Sequence, residues 1–195
     1  MYRVTAVAVA VFDAHLAIDP MLAGRNDLIT ACLLHDMGNI IKFDLIKFPA
    51  PDGETAHWLA VQETMRTKYG TSETAATEAI IRELGLYEKV APVLQHTSDA
   101  HALELEKEGT LLQKIACYAD QRVAPRGIVP LADRLRDMRT RYGHSDDEST
   151  RALDAATMRI EAFLFETLTI TPEDITDESV ARTISVLKSF DISPL

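Results

Sequence analysis

The sequence predicts an all-α fold of about eight or nine helices, and three observations support that prediction. Apolar residues recur at the helical spacing i, i+3, i+4 along most of the chain. Capping residues and glycines bracket several of these segments, as Ser72 and Gly85 bracket one of them. No segment alternates apolar and polar residues with the two-residue period of a strand.

The helices can be placed in order from this apolar pattern. The first is predicted at residues 4–18, where Val4, Val7 and Val11 form one stripe. The second is predicted at residues 28–37, and it is apolar on nearly all sides, which places it at the centre of the fold. Further helices are predicted at residues 54–68, 72–84, 87–96, 109–123, 131–142, 147–168 and 173–190.

A division of the chain is predicted at the short polar turn Gly143–Asp147. Residues 1–142 would form the main domain, and residues 143–195 a C-terminal pair of helices. Apolar stripes on this pair require a partner surface, either the body of the domain or a second copy in a homodimer.

Composition and charge narrow the function classes. Hydrophobic residues make up 47% and charged residues 26%, as in ordinary globular domains. The net charge of −10 argues against nucleic acid as a partner, because such binders usually need a basic face. The apolar run Val4–Phe12 is too short for a membrane span, so no membrane anchor or signal peptide is expected. Cys32 and Cys117 are expected as buried free thiols, which fits a reducing cytoplasm.

Three acidic and histidine positions in apolar surroundings are candidates for a metal site. His35 and Asp36 end the central helix, where a carboxylate removed from water needs a positive partner such as a divalent cation. Asp120 lies in a second apolar segment beside small residues. From spacing alone, Asp120 is better interpreted as a surface aspartate paired with Arg122 or Lys114 than as a metal ligand. His35 could likewise be a satisfied core histidine.

Two short motifs resemble a known family. The segment Leu33-Leu34-His35-Asp36-Met37-Gly38-Asn39 resembles the His-Asp signature of the HD-domain metal-dependent phosphohydrolases. The segment Tyr118-Ala119-Asp120-Gln121-Arg122-Val123 is similar to the aspartate-bearing helix that closes their site. The order of the motifs suits the family, and the resemblance covers about residues 1–142.

The resemblance implies a helical HD-type bundle in which His35, Asp36 and Asp120 bind a divalent metal ion, with Asp36 also as the catalytic residue. It does not distinguish Mn, Mg, Co, Ni, Zn or Fe. His96, and less strongly His101, could supply ligands to a second ion, or they could be solvated histidines at a helix end. Lys42, Arg122 and Arg126 are candidates to bind the phosphate of the substrate, or else surface ion-pair residues.

The chain also departs from the family pattern. Related proteins place a metal-binding His just ahead of an Arg-Val pair, and here Arg3-Val4 would put that His before Met1. His15, which continues the first apolar stripe, is a weaker substitute. Thr74 stands where relatives often carry another His, and Thr cannot supply a neutral ring nitrogen. Asn39 stands where some relatives carry a carboxylate base.

The function expected from these motifs is hydrolysis of a small phosphorylated metabolite, a phosphomonoester such as a nucleotide. The alternative is a non-catalytic HD module that binds a ligand and signals through oligomerisation of its C-terminal helices, which the missing histidines favour. A mixed-valent di-iron oxygenase of the same fold would need more histidine and carboxylate ligands than these motifs provide.

Overall fold

A computed structural model of the chain describes residues 1–50, 53–95, 101–142 and 147–192. Within these residues the structure is almost wholly helical, which confirms the all-α prediction. The α-helices are α1 (Tyr2–Ile18), α2 (Arg25–Leu34), α3 (Thr55–Tyr69), α4 (Glu73–Glu83), α5 (Tyr87–Leu94), α6 (Ala102–Glu108), α7 (Leu111–Gln121), α8 (Leu131–Tyr142), α9 (Glu148–Phe165) and α10 (Asp177–Leu187). Short 3₁₀ helices occur at Asn39–Lys42 and Pro172–Asp174.

Helix α1 runs through the centre of the fold and packs against α2, α7 and α10. Its residues Val7, Ala8, Val11 and Phe12 are fully buried. A helix covered by three neighbours has little solvent-facing surface, which explains why α1 is apolar on several sides rather than along one stripe. Helices α2 and α7 also contact each other, so the two motif-bearing helices lie side by side in the core.

Several helix ends follow the predicted capping chemistry. The Ser72 hydroxyl accepts a hydrogen bond from the Ala75 N–H and caps α4, as predicted. The hydroxyl of Thr110 caps α7, and the Gln113 side chain accepts a hydrogen bond from the Thr110 N–H. Helix α2 ends three residues earlier than predicted, because the chain turns at His35 instead of continuing to Met37.

Two described elements were missing from the prediction. Helix α6 adds a tenth α-helix to the described part of the chain, beyond the predicted eight or nine. The short strands β1 (Val123–Ala124) and β2 (Gly127–Ile128) pair antiparallel directly after α7. Gly127 has a φ of +148°, and a Cβ there would lie 2.3 Å from a carboxylate oxygen of Asp177. The hairpin therefore needs glycine at this position.

The C-terminal helices pack on the body of the domain. Helix α10 lies along α1, and α9 lies against α6 and α7. Asp177 at the start of α10 accepts hydrogen bonds from the Arg3 side chain at 2.6 Å and the Ile128 N–H at 3.0 Å. The predicted division at Gly143–Asp147 falls almost entirely outside the described residues. No helix of the described residues has both the length and the apolar character that a membrane crossing requires.

Candidate functional site

The candidate site lies where the end of α2 meets the last turns of α7. After Leu34 the chain makes tight turns, in which the Met37 N–H bonds to the Leu34 carbonyl and the Asn39 N–H bonds to the Asp36 carbonyl. These turns redirect His35 and Asp36 out of the core towards Asp120 on α7. The site thus lies where a buried helix ends, which leaves the carboxylates of Asp36 and Asp120 half-exposed.

His35 is the centre of this arrangement. Its Nε2 lies 3.3 Å from a carboxylate oxygen of Asp36 and 3.3 Å from a carboxylate oxygen of Asp120. Its Nδ1 lies 2.8 Å from the carbonyl oxygen of Cys32. Because a carbonyl only accepts hydrogen bonds, Nδ1 must carry the proton, so Nε2 is left with a lone pair whenever the ring is neutral.

Within the described residues, His35 Nε2 is buried and has no hydrogen-bond partner of good geometry. A neutral ring would direct its lone pair at two anionic oxygens, which is repulsive. Two states relieve that repulsion: a protonated imidazole, or a cation shared by the nitrogen and the two carboxylates. Binding of the opposite ring nitrogen to a backbone carbonyl is also the usual arrangement of a metal-binding histidine.

The electrostatics of the metal-free site favour a positive charge on the ring. Burial lowers the pKa of His35, but the carboxylates of Asp120 and Asp36 outweigh burial and raise the pKa to about 10. Burial likewise raises the pKa of Asp36, but His35, Lys42 and the Asn39 side chain together hold it below its ordinary value. The site therefore keeps an anionic Asp36 carboxylate beside a protonated His35 ring at neutral pH.

The separations of these donors fit a shared ion. Nitrogen and carboxylate donors at about 2.1 Å from one ion lie about 3.0 Å apart in octahedral geometry and about 3.4 Å apart in tetrahedral geometry. Both observed separations from His35 Nε2 are 3.3 Å. However, no group of three or more His, Cys, Asp or Glu side chains within the described residues is arranged so that it could hold a metal ion. His35, Asp36 and Asp120 are therefore an incomplete donor set as they stand.

The other residues considered as metal ligands do not join His35, Asp36 and Asp120 in the described structure. His96 lies outside the described residues. His101 is exposed at the start of α6, with Nδ1 3.6 Å from the carboxylate of Glu104. His15 lies against the backbone of Leu164 on α9, and burial lowers its pKa. His15 therefore belongs to the contact between α1 and α9. Thr74 is exposed in the first turn of α4.

Gly38 brings the first turn of α4 against the site. Its N–H donates to the Thr77 hydroxyl at 2.9 Å, and a Cβ at Gly38 would lie 2.1 Å from the carbonyl oxygen of Glu73. Such an approach of two backbones is open only to glycine. This packing role of Gly38 was not predicted from the sequence.

Lys42 is the predicted phosphate-binding residue that lies nearest to the site. Its ammonium group lies 3.6 Å from the Glu73 carboxylate and is close enough to Asp36 to lower its pKa. The side chain is about half exposed, so an incoming anion can reach it. The chemistry of an exposed ammonium group allows it to pair with a phosphoryl oxygen as well as with Glu73.

The structure does not support the predicted phosphate-binding role of Arg122. Its guanidinium is buried and donates to the carbonyl oxygens of Val129 at 2.6 Å, Pro172 at 3.0 Å and Ile175 at 3.2 Å, and to the hydroxyl of Tyr118. Because these bonds use its donors, Arg122 joins α7 to the C-terminal segment. Arg126 lies exposed in the turn between β1 and β2.

Two residues of α3 that the sequence did not single out hold the segment after Asp36. The buried Gln62 side-chain amide donates to the carbonyl oxygens of Ile40 at 2.6 Å and Phe43 at 2.8 Å. The Arg66 guanidinium donates twice to the carbonyl oxygen of Ile41, at 2.6 and 3.1 Å. These contacts join positions about twenty residues apart, so the pattern of neighbouring residues in the sequence does not predict them.

Two concave regions of the described structure lie elsewhere. One is an open groove of about 610 Å³ between the start of α1, the hairpin and α10, lined by residues that include Met1, Arg3 and Pro125. The other is a small cavity of about 40 Å³ beside Thr30 and Phe190. Neither is lined by His35, Asp36 or Asp120.

Comparisons with known proteins leave the site to be interpreted from its own geometry. No protein-family model, no curated protein and no solved structure matches this chain.

Proposed function

We propose that the chain is a metal-dependent phosphohydrolase that acts on a small phosphomonoester, with nucleotides among the candidate substrates. The observation that carries the proposal is the His35 ring, whose Nδ1 is bound to a backbone carbonyl and whose Nε2 faces two carboxylates without a hydrogen bond. That arrangement requires a positive charge, which either protonation of the ring or a divalent ion bound by all three groups would supply, and we propose that the ion takes this place in the working protein.

His35, Asp36 and Asp120 would hold the ion. A bound divalent cation would polarise a phosphoryl oxygen and make a coordinated water acidic enough to attack near neutral pH. Asp36, half-exposed beside His35, is the proposed acceptor of the proton released by that water. The ammonium group of Lys42 would bind a second phosphoryl oxygen and offset its charge. Asn39 donates to Asp36 and orients its carboxylate.

The experiment is a phosphate-release assay on the purified chain, first chelated and then supplied with Mn²⁺, Co²⁺, Ni²⁺, Zn²⁺, Fe²⁺ or Mg²⁺, over a panel of nucleoside monophosphates. We expect turnover with at least one metal and none after chelation. Asp120→Asn should lower metal affinity by about ten- to a hundredfold and turnover at least as much. Titration calorimetry with Mn²⁺ measures the affinity separately from turnover.

Asp13→Asn is the matched control. Asp13 has nearly the same side-chain exposure as Asp120, 44% against 43%, but it is paired with Arg25 at a surface site. This variant should retain both metal affinity and turnover. Equal losses in the two aspartate variants would remove the specific role assigned to Asp120.

A ligand-binding or signalling module is the second candidate, favoured by the incomplete donor set and by the exposed Thr74. It predicts Mn²⁺ binding that depends on Asp120 but no metal-dependent phosphate release from any ester. A nucleotide would then bind and alter the sedimentation coefficient of the chain. Turnover of any phosphomonoester that is lost on chelation excludes this candidate.

A further inference from the structure

The 3₁₀ helix Asn39–Lys42 carries two side chains that lie beside Asp36. The Asn39 side chain hydrogen-bonds to the Asp36 carboxylate, and the Lys42 ammonium group is close enough to Asp36 to act on it electrostatically. A 3₁₀ helix of four residues has poor internal hydrogen-bond geometry, and it leaves carbonyl groups at its C-terminal end without partners inside the helix. Its position therefore depends on the elements packed against it.

Helix α3 supplies hydrogen-bond donors to this 3₁₀ helix. The Gln62 side-chain amide is 3% exposed, and it donates to the carbonyl oxygens of Ile40 at 2.6 Å and Phe43 at 2.8 Å. One helical turn later, the Arg66 guanidinium donates twice to the carbonyl oxygen of Ile41, at 2.6 and 3.1 Å. Two side chains on one face of α3 thus hold three carbonyl groups of this short segment.

The hydrogen bonds lie on both sides of Lys42 along the chain. Ile41 comes before it and Phe43 after it, and both residues are bonded to α3. Helix α4 packs against the same 3₁₀ helix, and its Thr77 hydroxyl accepts a hydrogen bond from the Gly38 N–H. A backbone that is bonded before and after a residue has little freedom to rotate there. The contacts with α3 therefore limit where the half-exposed Lys42 side chain can reach.

Resting on the proposed function, we infer that Gln62 and Arg66 are positioning residues, which hold the 3₁₀ helix so that Lys42 meets a phosphoryl oxygen of the substrate. In this role neither side chain contacts the substrate. A charge-assisted hydrogen bond weakens steeply with distance and angle, so a small shift of the ammonium group is costly. His35 and Asp120 belong to other elements, at the end of α2 and in α7. Loss of an α3 contact should therefore weaken substrate binding more than metal binding.

The first test is Gln62→Met, which removes both donors and keeps an unbranched side chain of similar length. For an ester that the chain hydrolyses, KM should rise about three- to tenfold, with kcat and Mn²⁺ affinity each within about twofold of wild type. The upper limit is the loss of the Lys42 contact itself, about tenfold, because Gln62 acts through Lys42. Steady-state kinetics and titration calorimetry measure these quantities. A loss of Mn²⁺ affinity as large as the rise in KM would mean that α3 supports the whole metal site, and the assigned role would be wrong.

Arg66→Met is the second variant, because Gln62 is buried and its replacement could prevent folding. Arg66 is only partly buried, so its replacement should leave the fold intact. KM should rise in Arg66→Met as well. It should rise less in Arg66→Lys, since lysine keeps one donor although it cannot make the paired contact. An unchanged KM in both Gln62→Met and Arg66→Met overturns the inference.

Thr157→Val is the control for a general loss of stability. Thr157 is 2% exposed, and its hydroxyl donates to the Leu153 carbonyl at 3.0 Å within α9. This variant also removes a buried donor from a backbone carbonyl, so the urea midpoint of unfolding should fall. KM should stay within about twofold of wild type. A rise in KM equal to that of Gln62→Met would show that KM follows stability, and it would overturn the specific role of Gln62.

A double-mutant cycle tests whether Gln62 acts through Lys42. Gln62→Met should raise KM in the wild-type background but change it by less than about 1.5-fold in the Lys42→Met background. The reason is that the position of an ammonium group no longer matters once that group is absent. The same factor in both backgrounds would show that the two residues act independently, and the inference would be wrong.

A further measurement does not need turnover and separates this inference from the proposed function. Inorganic phosphate should bind the Mn²⁺-loaded chain, and calorimetry should show the same non-additive losses for Gln62→Met and Lys42→Met. Turnover with additive effects overturns the positioning role and leaves the phosphohydrolase standing. Non-additive losses of phosphate binding, without turnover of any ester, support the positioning role and overturn the hydrolase. Absence of both phosphate binding and turnover overturns both.

Discussion

His35 and Arg122 are both basic side chains that lie near a carboxylate, Asp120 for His35 and Glu161 for Arg122. They differ in how many of their hydrogen bonds are made. Arg122 is fully engaged, because its guanidinium donates to three backbone carbonyls and a tyrosine hydroxyl and lies 3.8 Å from Glu161. His35 leaves a buried nitrogen without a hydrogen bond between two half-exposed acids. The saturated donors of Arg122 make it a structural link, whereas His35 Nε2 is one of several buried side-chain atoms without a hydrogen bond, and it faces two carboxylates.

The largest expected effect is the loss of folding stability when Arg122, the structural side chain of the two, is replaced. Arg122→Ala should lower the free energy of unfolding by about 3–5 kcal/mol, because it leaves the largely buried Glu161 without its cation and three carbonyls without donors. Urea unfolding followed by circular dichroism measures the change. Arg126→Ala, in the exposed hairpin turn, should change the free energy of unfolding by less than about 0.5 kcal/mol. A loss below about 1 kcal/mol for Arg122→Ala would contradict the assigned link.

The structural role of Arg122 was not predicted, because its partners cannot be read from its neighbours in the sequence. Pro172 and Ile175 lie about fifty residues away, and only the folded chain brings them to α7. His35, Asp36 and Asp120 were different, because charged residues stand out in apolar segments of the sequence. The expectation that their carboxylates are removed from water was wrong, since both Asp36 and Asp120 are half-exposed. Local sequence therefore indicated the site better than it indicated the residues around it.

The strength of the local sequence signal also explains which helices and strands were predicted. Long apolar helices such as α1 and α7 have a strong periodic signal, and the capping residue Ser72 marks its helix start. The two-residue strands β1 and β2 are too short to show alternation, although Pro125-Arg126-Gly127 is a turn signal that was available. Helix α6 was missed despite its alternating Ala, Leu, Glu and Lys residues, which are strong helix formers.

A second prediction concerns the charge on His35 in the metal-free protein. The pKa of His35 is about 10 in the folded chain and about 6.5 when unfolded. A raised pKa means that the protonated ring stabilises the fold fully below pH about 6.5, and this contribution is lost as the pH rises through about 10. In the presence of a chelator, wild-type stability should therefore fall between neutral pH and pH 10 relative to His35→Gln.

Asp120→Asn sharpens this test, because removing one carboxylate should move the loss of stability to lower pH. Urea unfolding at several pH values, with the chelator present throughout, gives the profiles of all three proteins. Parallel profiles for wild type and His35→Gln would show that the ring is neutral and that the two carboxylates are balanced by some other group.

The smallest expected effect separates the two remaining phosphate-binding candidates. Lys42 lies 3.6 Å from Glu73 and acts on Asp36, whereas Arg126 lies in the turn of the hairpin that follows α7. A single charge-assisted contact with a phosphoryl oxygen is worth about 1.5 kcal/mol, so Lys42→Met should lower kcat/KM for a hydrolysed ester about tenfold. Arg126→Met should leave it within about twofold. Lys42 is half-exposed and its ion pair with Glu73 lies at the surface, so circular dichroism should show the same fold in both variants.

The dependence of KM on salt tests the role of Lys42 separately: if Lys42 binds the phosphate, added NaCl should raise KM in wild type and in Arg126→Met but have less effect on Lys42→Met. Equal salt dependence in all three proteins would assign the phosphate to another cation and leave Lys42 as the surface partner of Glu73.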